Sequence, residues 1–254
     1  MAAPLLELDD IRKEFGQVIA LDGVSFSVQP GQCHCLLGDN GAGKSTLIKV
    51  MSGVHGPTRG RIVLAGRQTS FATPRQAMAV GVATVYQDLS LIPLMSVTRN
   101  FWMGREPVRR WGPIPTFDIA TANEIVMEEM ARFGIQLREP SQAVGTLSGG
   151  ERQIVAIARA AYFGAKVLIL DEPTSALGVR QTENVLQTID VVRKQGVAVV
   201  FISHNVRHAM SVGDRFTVLN RGRTIGTAGR GELDEQELRD LMSGGIELKA
   251  FDPA

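Results

Sequence analysis

The chain has 254 residues and a formal net charge of +1. This length is enough for one large domain, or two small ones, with a sizeable hydrophobic core. Hydrophobic residues make up 44% of the chain and charged residues 21%, which is ordinary for a soluble globular protein. No long run of one charge sign is present, so we expect no nucleic-acid partner.

The sequence also lacks the patterns of a membrane span and of an exported chain. The longest apolar runs, such as residues 197–202, are far too short to cross a bilayer. Residues 1–4, Met-Ala-Ala-Pro, have no basic segment or apolar core, so we expect no signal peptide. Cys33 and Cys35 share one face of a predicted strand, which disfavours a disulfide, and without a second pair they make no zinc site. We expect packing residues in a reducing cytoplasm.

Short apolar or alternating runs predict the strands of the chain. In chain order they cover residues 5–10, 24–28, 33–37, 61–65, 82–86, 167–170, 197–202, 215–220 and 223–227. The last two should form a hairpin across Arg221 and Gly222. The runs at 167–170 and 197–202 are apolar throughout, as in a parallel sheet that is covered on both faces.

Helical periodicity and capping residues predict the helices. In chain order they cover residues 47–51, 74–80, 96–103, 118–133, 154–161, 180–194 and 232–242. Residues 87–145 contain two of these helices, five prolines and both tryptophans, without a strand-rich run. This predicts an α-helical subdomain at 87–145, inserted in a core formed by 1–86 and 146–254 within a single domain of 1–254.

The residues at 38–45, Gly-Asp-Asn-Gly-Ala-Gly-Lys-Ser, fit the pattern G-x-x-x-x-G-K-[ST] at every fixed position. A predicted strand precedes them and a predicted helix follows, which is the context of a phosphate-binding loop rather than of an ordinary glycine-rich turn. Glycine lets the backbone approach an anion closely, and N–H groups at a helix start favour phosphate. The predicted phosphate contacts are Gly38, Asn40, Gly41, Ala42, Gly43, Lys44, Ser45 and Thr46. Lys44 would supply charge, and the hydroxyl of Ser45 would bind Mg²⁺.

Two carboxylates, Asp171 and Glu172, follow the apolar strand at 167–170. Ligands of open α/β sheets bind beyond the carboxyl ends of the strands. Asp171 can therefore help to hold Mg²⁺, and Glu172 can polarise an attacking water. Two solvated acids at a strand end are the alternative interpretation.

Taken together, these motifs resemble the ATP-binding cassette (ABC) ATPases. The residues that carry the resemblance are the loop at 38–45, Gln87 after a strand, Leu-Ser-Gly-Gly-Glu-Arg-Gln at 147–153, Leu-Ile-Leu-Asp-Glu-Pro-Thr-Ser-Ala-Leu at 168–177 and Ser203-His204, in the order of that family. The resemblance covers nearly the whole chain. It implies an α/β fold with a P-loop NTPase RecA-like core, an N-terminal antiparallel β subdomain and the inserted α-helical subdomain. It also implies ATP, Mg²⁺ and ATP hydrolysis.

The resemblance assigns further roles to single residues. Gln87 would sense Mg²⁺ and couple to a transmembrane partner, His204 would contact the γ-phosphate, and Phe15 would stack on adenine. The implied catalytic residues are Glu172, His204, Lys44 and Gln87, and the implied magnesium ligands are Ser45, Gln87 and Asp171.

Ser148, Gly149 and Gly150 resemble the signature loop of the family. A Ser-Gly-Gly run at a helix start is a second element that favours an anion. The resemblance implies a head-to-tail homodimer, in which each ATP lies between the phosphate loop of one chain and the signature loop of the other.

Gly178 departs from the family pattern, which has an aspartate at this position. That aspartate lies at the dimer seam and links the two ATP sites. We therefore expect Gly178 to loosen communication between the sites and to permit some uncoupled turnover.

Residues 74–78, 87–93, 97–107 and 172–179 are similar to the bacterial ribose/fructose-type sugar importers. This implies separate permease subunits, an indirect periplasmic sugar-binding partner, and a peripheral position on the cytoplasmic face of the inner membrane. The alternatives are an importer of another small solute, a cassette ATPase of DNA repair or translation, and a non-catalytic regulatory module. Coiled-coil arms, tandem cassettes and basic extensions, which favour the non-transport classes, are not visible in the sequence.

Overall fold

The computed structural model describes residues 3–111 and 114–244. Met1 and Ala2, which entered the signal-peptide prediction, and Pro113 of the inserted segment lie outside the described residues. The predicted domain bounds at 87 and 145 stay a prediction.

The described strands are β1 (Leu6–Phe15), β2 (Val18–Val28), β3 (Cys33–Leu37), β4 (Arg59–Leu64), β5 (Arg67–Thr69), β6 (Val82–Val85), β7 (Val108–Trp111), β8 (Ile114–Phe117), β9 (Val167–Asp171), β10 (Ala198–Ser203), β11 (Arg215–Asn220) and β12 (Arg223–Gly229). The described α-helices are α1 (Lys44–Met51), α2 (Pro74–Ala79), α3 (Val97–Trp102), α4 (Ile119–Arg132), α5 (Gly149–Tyr162), α6 (Val179–Lys194), α7 (Val206–Val212) and α8 (Glu235–Met242). No helix in the described ranges is long and apolar enough to cross a membrane.

The central sheet has six strands in the order β12-β11-β3-β10-β9-β6. All neighbouring strands are parallel except the β11–β12 hairpin. One face packs against α1, α2 and the N-terminal sheet, and the other packs against α3 to α8. Because both faces are covered, β3 and β10 are buried along their whole length, and the apolar run predicted at 197–202 lies in β10. Cys33 and Cys35 are free and lie in one core cluster, so their predicted packing role is confirmed.

A four-stranded antiparallel sheet, in the order β2-β1-β4-β5, forms the N-terminal layer. Its apolar face, with Leu8, Phe26 and Ile62, packs in one cluster with Leu47 and Ile48 of α1. The alternation of apolar residues along β1 and β2 follows from this one-sided burial. The predicted antiparallel β subdomain is therefore confirmed.

The buried imidazole of His34 joins the two sheets. Its Nδ1 lies 2.5 Å from the carbonyl oxygen of Ser27 on β2, and its Nε2 lies 2.8 Å from the hydroxyl of Thr217 on β11. Burial lowers the pKa of His34 to about 3, so the ring is neutral near neutral pH. A neutral ring that donates from Nδ1 and accepts at Nε2 satisfies both contacts.

The inserted segment contains the two predicted helices as α3 and α4, but it also contains the β7–β8 hairpin, which the sequence did not predict. Val108 and Ile114 in this hairpin are both 64% exposed. None of the side chains of the hairpin that the structure describes is fully buried, so the hairpin lacks the alternation that identifies a strand. Helix α7 was also missed, because a helix of seven residues has too few turns for a clear period.

Candidate active site

Three neighbouring strand ends define the site. In the central sheet β10 lies between β3 and β9, and the three strands are parallel. Ser203 pairs with Leu37, and Ile202 pairs with Asp171, so these strands end at the same level. The residues that follow β3, β9 and β10 therefore meet at one edge of the sheet, as the position of ligands in open α/β sheets requires.

The phosphate loop after β3 has a backbone that needs glycine at two positions. Gly38 (φ 151°) lies against the carbonyl oxygen of Leu219, where an added Cβ would collide. Gly43 (φ 107°) is the N-cap of α1, and a Cβ there would lie 3.1 Å from the carbonyl oxygen of Ala20. Only glycine adopts such φ values freely, so the loop can wrap tightly before α1 begins at Lys44.

The ammonium group of Lys44 lies inside this loop, and the residue is 8% exposed. It donates hydrogen bonds to the carbonyl oxygens of Gly38 (2.5 Å) and Asp39 (3.1 Å). Burial lowers the pKa of Lys44, and the carboxylates of Glu172, Asp39 and Asp171 oppose that shift. Among the described residues no carboxylate forms an ion pair with this cation, which favours an anionic ligand.

A cavity of about 550 Å³ opens between the loop and the ends of β9 and β6. Its lining residues are Val18, Ile19, Ala20, Asp39, Asn40, Gly41, Ala42, Gly43, Lys44, Ser45, Thr46, Gln87, Asp171, Glu172, Arg221 and Gly222. The structure therefore brings together nearly all of the predicted phosphate and magnesium residues. Gly38 lies against the backbone of Leu219 and does not line the cavity.

The oxygen atoms of this cavity fit Mg²⁺. Ser45 offers a hydroxyl, Gln87 an amide oxygen and Asp171 a carboxylate, all hard ligands of the kind that Mg²⁺ prefers. Burial raises the pKa of Asp171, the charge of Glu172 raises it further, and Lys44 opposes both. A divalent cation would stabilise that carboxylate. The described residues contain no group of three or more His, Cys, Asp or Glu side chains that could hold a metal ion.

Glu172 combines an unusual backbone conformation with a side chain held by three hydrogen bonds. Its φ is 48°, in the left-handed region that non-glycine residues seldom adopt. Its Oε1 accepts hydrogen bonds from the backbone N–H (3.0 Å) and Nδ1 (2.8 Å) of His204, and its Oε2 accepts one from the hydroxyl of Ser203 (3.1 Å). His204, which does not line the cavity, is thus linked to it through Glu172.

The signature loop, formed by Ser148, Gly149 and Gly150, lies outside this cavity. Ser148 caps α5 in a capping box, in which its hydroxyl accepts from the N–H of Glu151 and the Glu151 carboxylate accepts from the N–H of Ser148. Gly149 and Gly150 pack against the segment before and within α6, where a Cβ would meet Leu177 and Gln181. None of the three predicted signature residues lines the cavity of its own chain.

Phe15 also lies outside the cavity lining. It is 44% exposed at the end of β1 and packs edge-to-face against His55, with ring centroids 5.2 Å apart. Its strand partner, Val18, does line the cavity and is 64% exposed. The stacking role of Phe15 stays a prediction, and the sequence interpretation did not include the residues at 18–20.

The β11–β12 turn is a second part of the site that the sequence interpretation did not assign. The N–H of Gly222 donates to the carbonyl oxygen of Ala42 (2.9 Å), and the N–H of Asp22 donates to the carbonyl oxygen of Gly222 (2.8 Å). The turn therefore supports the phosphate loop. The turn signal at Arg221-Gly222 was visible in the sequence, but its contact with a loop some 180 residues away was not.

Gly178 is the N-cap of α6, with φ −70° and ψ 164°. Any residue can adopt these angles, and a Cβ at this position would meet nothing within 4 Å. The side-chain oxygen of Gln181 accepts from the N–H of Gly178 (3.4 Å), but no side chain caps the free N–H groups of the first turn.

A family model described as ABC transporter matches residues 21–175. The chain belongs to the ABC transporter family. It is 42% identical to the xylose/arabinose import ATP-binding protein XylG of Sulfolobus acidocaldarius, over 94% of each chain. It is also 42% identical to the fructose import ATP-binding protein FrcA of Rhizobium meliloti, over 87% of each. The ribose import ATP-binding protein RbsA 1 of Rubrobacter xylanophilus matches 91% of this chain at 42% identity, but the match spans 46% of its own length.

Solved ATP-binding cassettes share the fold. A nucleotide-free cassette from an ABC transporter superposes with a TM-score of 0.79 at 24% identity, over 97% of this chain and 98% of its own. A dimeric cassette in a post-hydrolysis state with ADP and Pi gives 0.73 at 22% identity, over 90% of this chain and 100% of its own. The predicted P-loop NTPase fold is confirmed, and membership of the family makes the chain an ATP-binding ATPase.

Proposed function

We propose that this chain is the ATP-hydrolysing subunit of a bacterial ABC importer, which energises uptake of a fructose- or ribose-like monosaccharide through separate permease subunits. The observation that carries the sugar assignment is the 42% identity, over most of both chains, to relatives named as xylose/arabinose and fructose import proteins. An importer of a different small solute is the second candidate, because the cassette itself does not contact the solute.

In the proposed ATP complex Lys44 changes its hydrogen-bond partners. Lys44 leaves the carbonyl oxygens of its own loop and binds the outer phosphates, while the N–H groups of the loop and of the α1 start surround them. Ser45, Gln87 and Asp171 would hold Mg²⁺, which neutralises the charge that develops on the phosphates. The exposed side chains of Phe15 and Val18 offer an apolar surface for adenine.

Hydrolysis is assigned to Glu172 and His204. Glu172 would accept a proton from the attacking water, since it lies in the cavity that contains Lys44 and Asp171. His204, whose Nδ1 lies 2.8 Å from Oε1 of Glu172, would contact the γ-phosphate and report on its presence. In-line attack within this fixed geometry needs positioning and charge neutralisation from the protein more than covalent chemistry.

The signature loop supports a head-to-tail homodimer. The capped start of α5 at Ser148 favours an anion, but it does not line the cavity of its own chain. A second copy of the chain, turned head to tail, would place this loop over the ATP of the first copy. Each site would then be complete only in the dimer.

Coupling to a permease is assigned to Gln87 and the segment after it. Gln87 lines the ATP cavity, whereas residues 88–91 line a neighbouring cavity of about 140 Å³ together with Arg105 and Phe163. Leu94, close to this segment, is 94% exposed, and a large apolar side chain so exposed suits a protein interface. We place the chain peripherally on the cytoplasmic face of the inner membrane, with a periplasmic sugar-binding protein as an indirect partner.

The non-transport alternatives have less support. In the described part of the chain the longest helix, α6, has 16 residues, too short for the coiled-coil arm of a repair ATPase. A regulatory module without catalysis would not need Lys44, Asp171 and Glu172 to converge on one cavity.

Glu172→Gln is expected to keep ATP binding but to stall hydrolysis, by about a hundredfold or more, because glutamine cannot accept the proton of the water. ATP-bound dimers should then accumulate, which size-exclusion chromatography with light scattering measures. Lys44→Ala is the contrasting variant and should lose most ATP binding. Near-normal turnover by Glu172→Gln would refute the assignment of Glu172 as the base.

The importer assignment is tested by purifying the tagged chain from its native cells in a gentle detergent. Mass spectrometry should find a multi-span permease, and a periplasmic sugar-binding protein would narrow the solute. Ribosomal, DNA-bound or exclusively soluble partners would exclude the importer assignment and leave the ATPase assignment intact.

Gly178→Asp should stabilise the chain by a few tenths of a kcal/mol, because aspartate caps a helix better than glycine does. It should also lower the basal ATPase rate and raise the Hill coefficient for ATP, if an aspartate at the seam links the two sites. Gly178→Ala is the matched control, since it removes the glycine without adding a cap. The hypothesis fails if Gly178→Asp leaves both the basal rate and the Hill coefficient unchanged.

A further inference from the structure

The hydroxyl of Ser203 is a contact of Glu172 that the proposed mechanism does not yet use. Ser203 is the last residue of β10 and is 1% exposed. Its Oγ donates to Oε2 of Glu172 (3.1 Å) and accepts from the N–H of Asn205 (3.0 Å). Because Asn205 occupies one acceptor direction of the oxygen, the hydroxyl proton is directed at the carboxylate.

The contact between Ser203 and Glu172 matters because His204 also donates a hydrogen bond to Glu172. Nδ1 of His204 lies 2.8 Å from Oε1 of Glu172, and a carboxylate oxygen can only accept, so Nδ1 carries the hydrogen. In a neutral ring Nε2 is then an acceptor and cannot donate to a phosphate oxygen. A neutral His204 can therefore donate its one ring hydrogen to Glu172 or to the phosphate, but not to both.

When His204 turns to the phosphate, Glu172 loses one of its three donors. Two donors of this group then remain on the carboxylate, the hydroxyl of Ser203 and the backbone N–H of His204. The hydroxyl of Ser203 then keeps Oε2 in place, and Oε1, no longer in contact with the imidazole, can face the attacking water.

We propose that Ser203 is a positioning residue, which holds Oε2 of Glu172 and thereby aims Oε1 at the attacking water. This inference rests on the proposed role of Glu172 as the base. Ser203 is well placed to do so, since it pairs with Leu37, the residue before the phosphate loop, in the register of β10 and β3. It thus ties the carboxylate to the strand that carries the loop.

Asn205 extends the anchor into α7. Its side-chain oxygen accepts from the N–H of His208 and caps that helix (3.2 Å). The position of the Ser203 hydroxyl is therefore fixed by a helix start as well as by a strand. Without the hydroxyl of Ser203, Glu172, whose φ is 48°, would have fewer contacts to hold its carboxylate in one orientation.

Ser203→Ala tests the proposal. Loss of one hydrogen bond to a charged group is expected to lower kcat about tenfold or more, while the affinity for a fluorescent ATP analogue and the KM stay within about twofold. Slow hydrolysis should also let ATP-bound dimers accumulate on size exclusion. Ser203→Thr keeps the hydroxyl and should recover most of the rate. Ser211→Ala, which removes an exposed hydroxyl bonded to the carbonyl oxygen of His208, should change none of these values.

The Glu172→Gln background separates a positioning role from a merely structural one. If Ser203 acts through Glu172, adding Ser203→Ala to Glu172→Gln should lower the residual rate no further. Ser203→Cys, a weak donor of similar size, should behave like Ser203→Ala and serves if that variant loses thermal stability. Normal kcat in Ser203→Ala, or equal losses in both backgrounds, would overturn the proposal. Turnover by Glu172→Gln alone would instead overturn the role of Glu172.

Discussion

The parallel pairing of β3, β10 and β9 is the constraint on which the site depends. It brings the phosphate loop, the carboxylates after β9 and the residues after β10 to one edge of the sheet. The phosphate loop is more than a hundred residues before the other two segments in the chain, and the close approach of Lys44, Asp171 and Glu172 exists because the strands pair side by side. These strands are buried on both faces, so the layers that cover the sheet hold them in place.

The charges at this edge are balanced only in part. Lys44 is buried against backbone carbonyl oxygens, and the pKa of Asp171 is raised by burial and by its acidic neighbour. An anionic phosphate and a divalent cation would stabilise both groups at once. The arrangement therefore suits ATP and the proposed Mg²⁺, and the carboxylate of Glu172 is held by Ser203 and His204.

Much of the fold and the loop could be predicted from sequence, because short-range rules determine them. The glycine pattern before Lys44 and the apolar strand before Asp171 are local, and the structure places both as expected. The β7–β8 hairpin, the support of Ala42 by Gly222 and the contact of Ser203 with Glu172 could not be predicted. The last two depend on contacts between residues far apart in the chain, and the hairpin is largely exposed. Neither situation leaves a periodic signal in the sequence.

The central claim is that the signature loop of one chain completes the ATP site of another. It is tested most directly by a thiol cross-link between Asn40→Cys in one chain and Ser148→Cys in a second chain, both in the Glu172→Gln background. Cys33 and Cys35 are buried, so the parent chain is the control for background reaction. The account predicts a cross-linked dimer of the two variants that forms with Mg-ATP and not without nucleotide. No cross-link with Mg-ATP, or the same yield without it, would contradict the account.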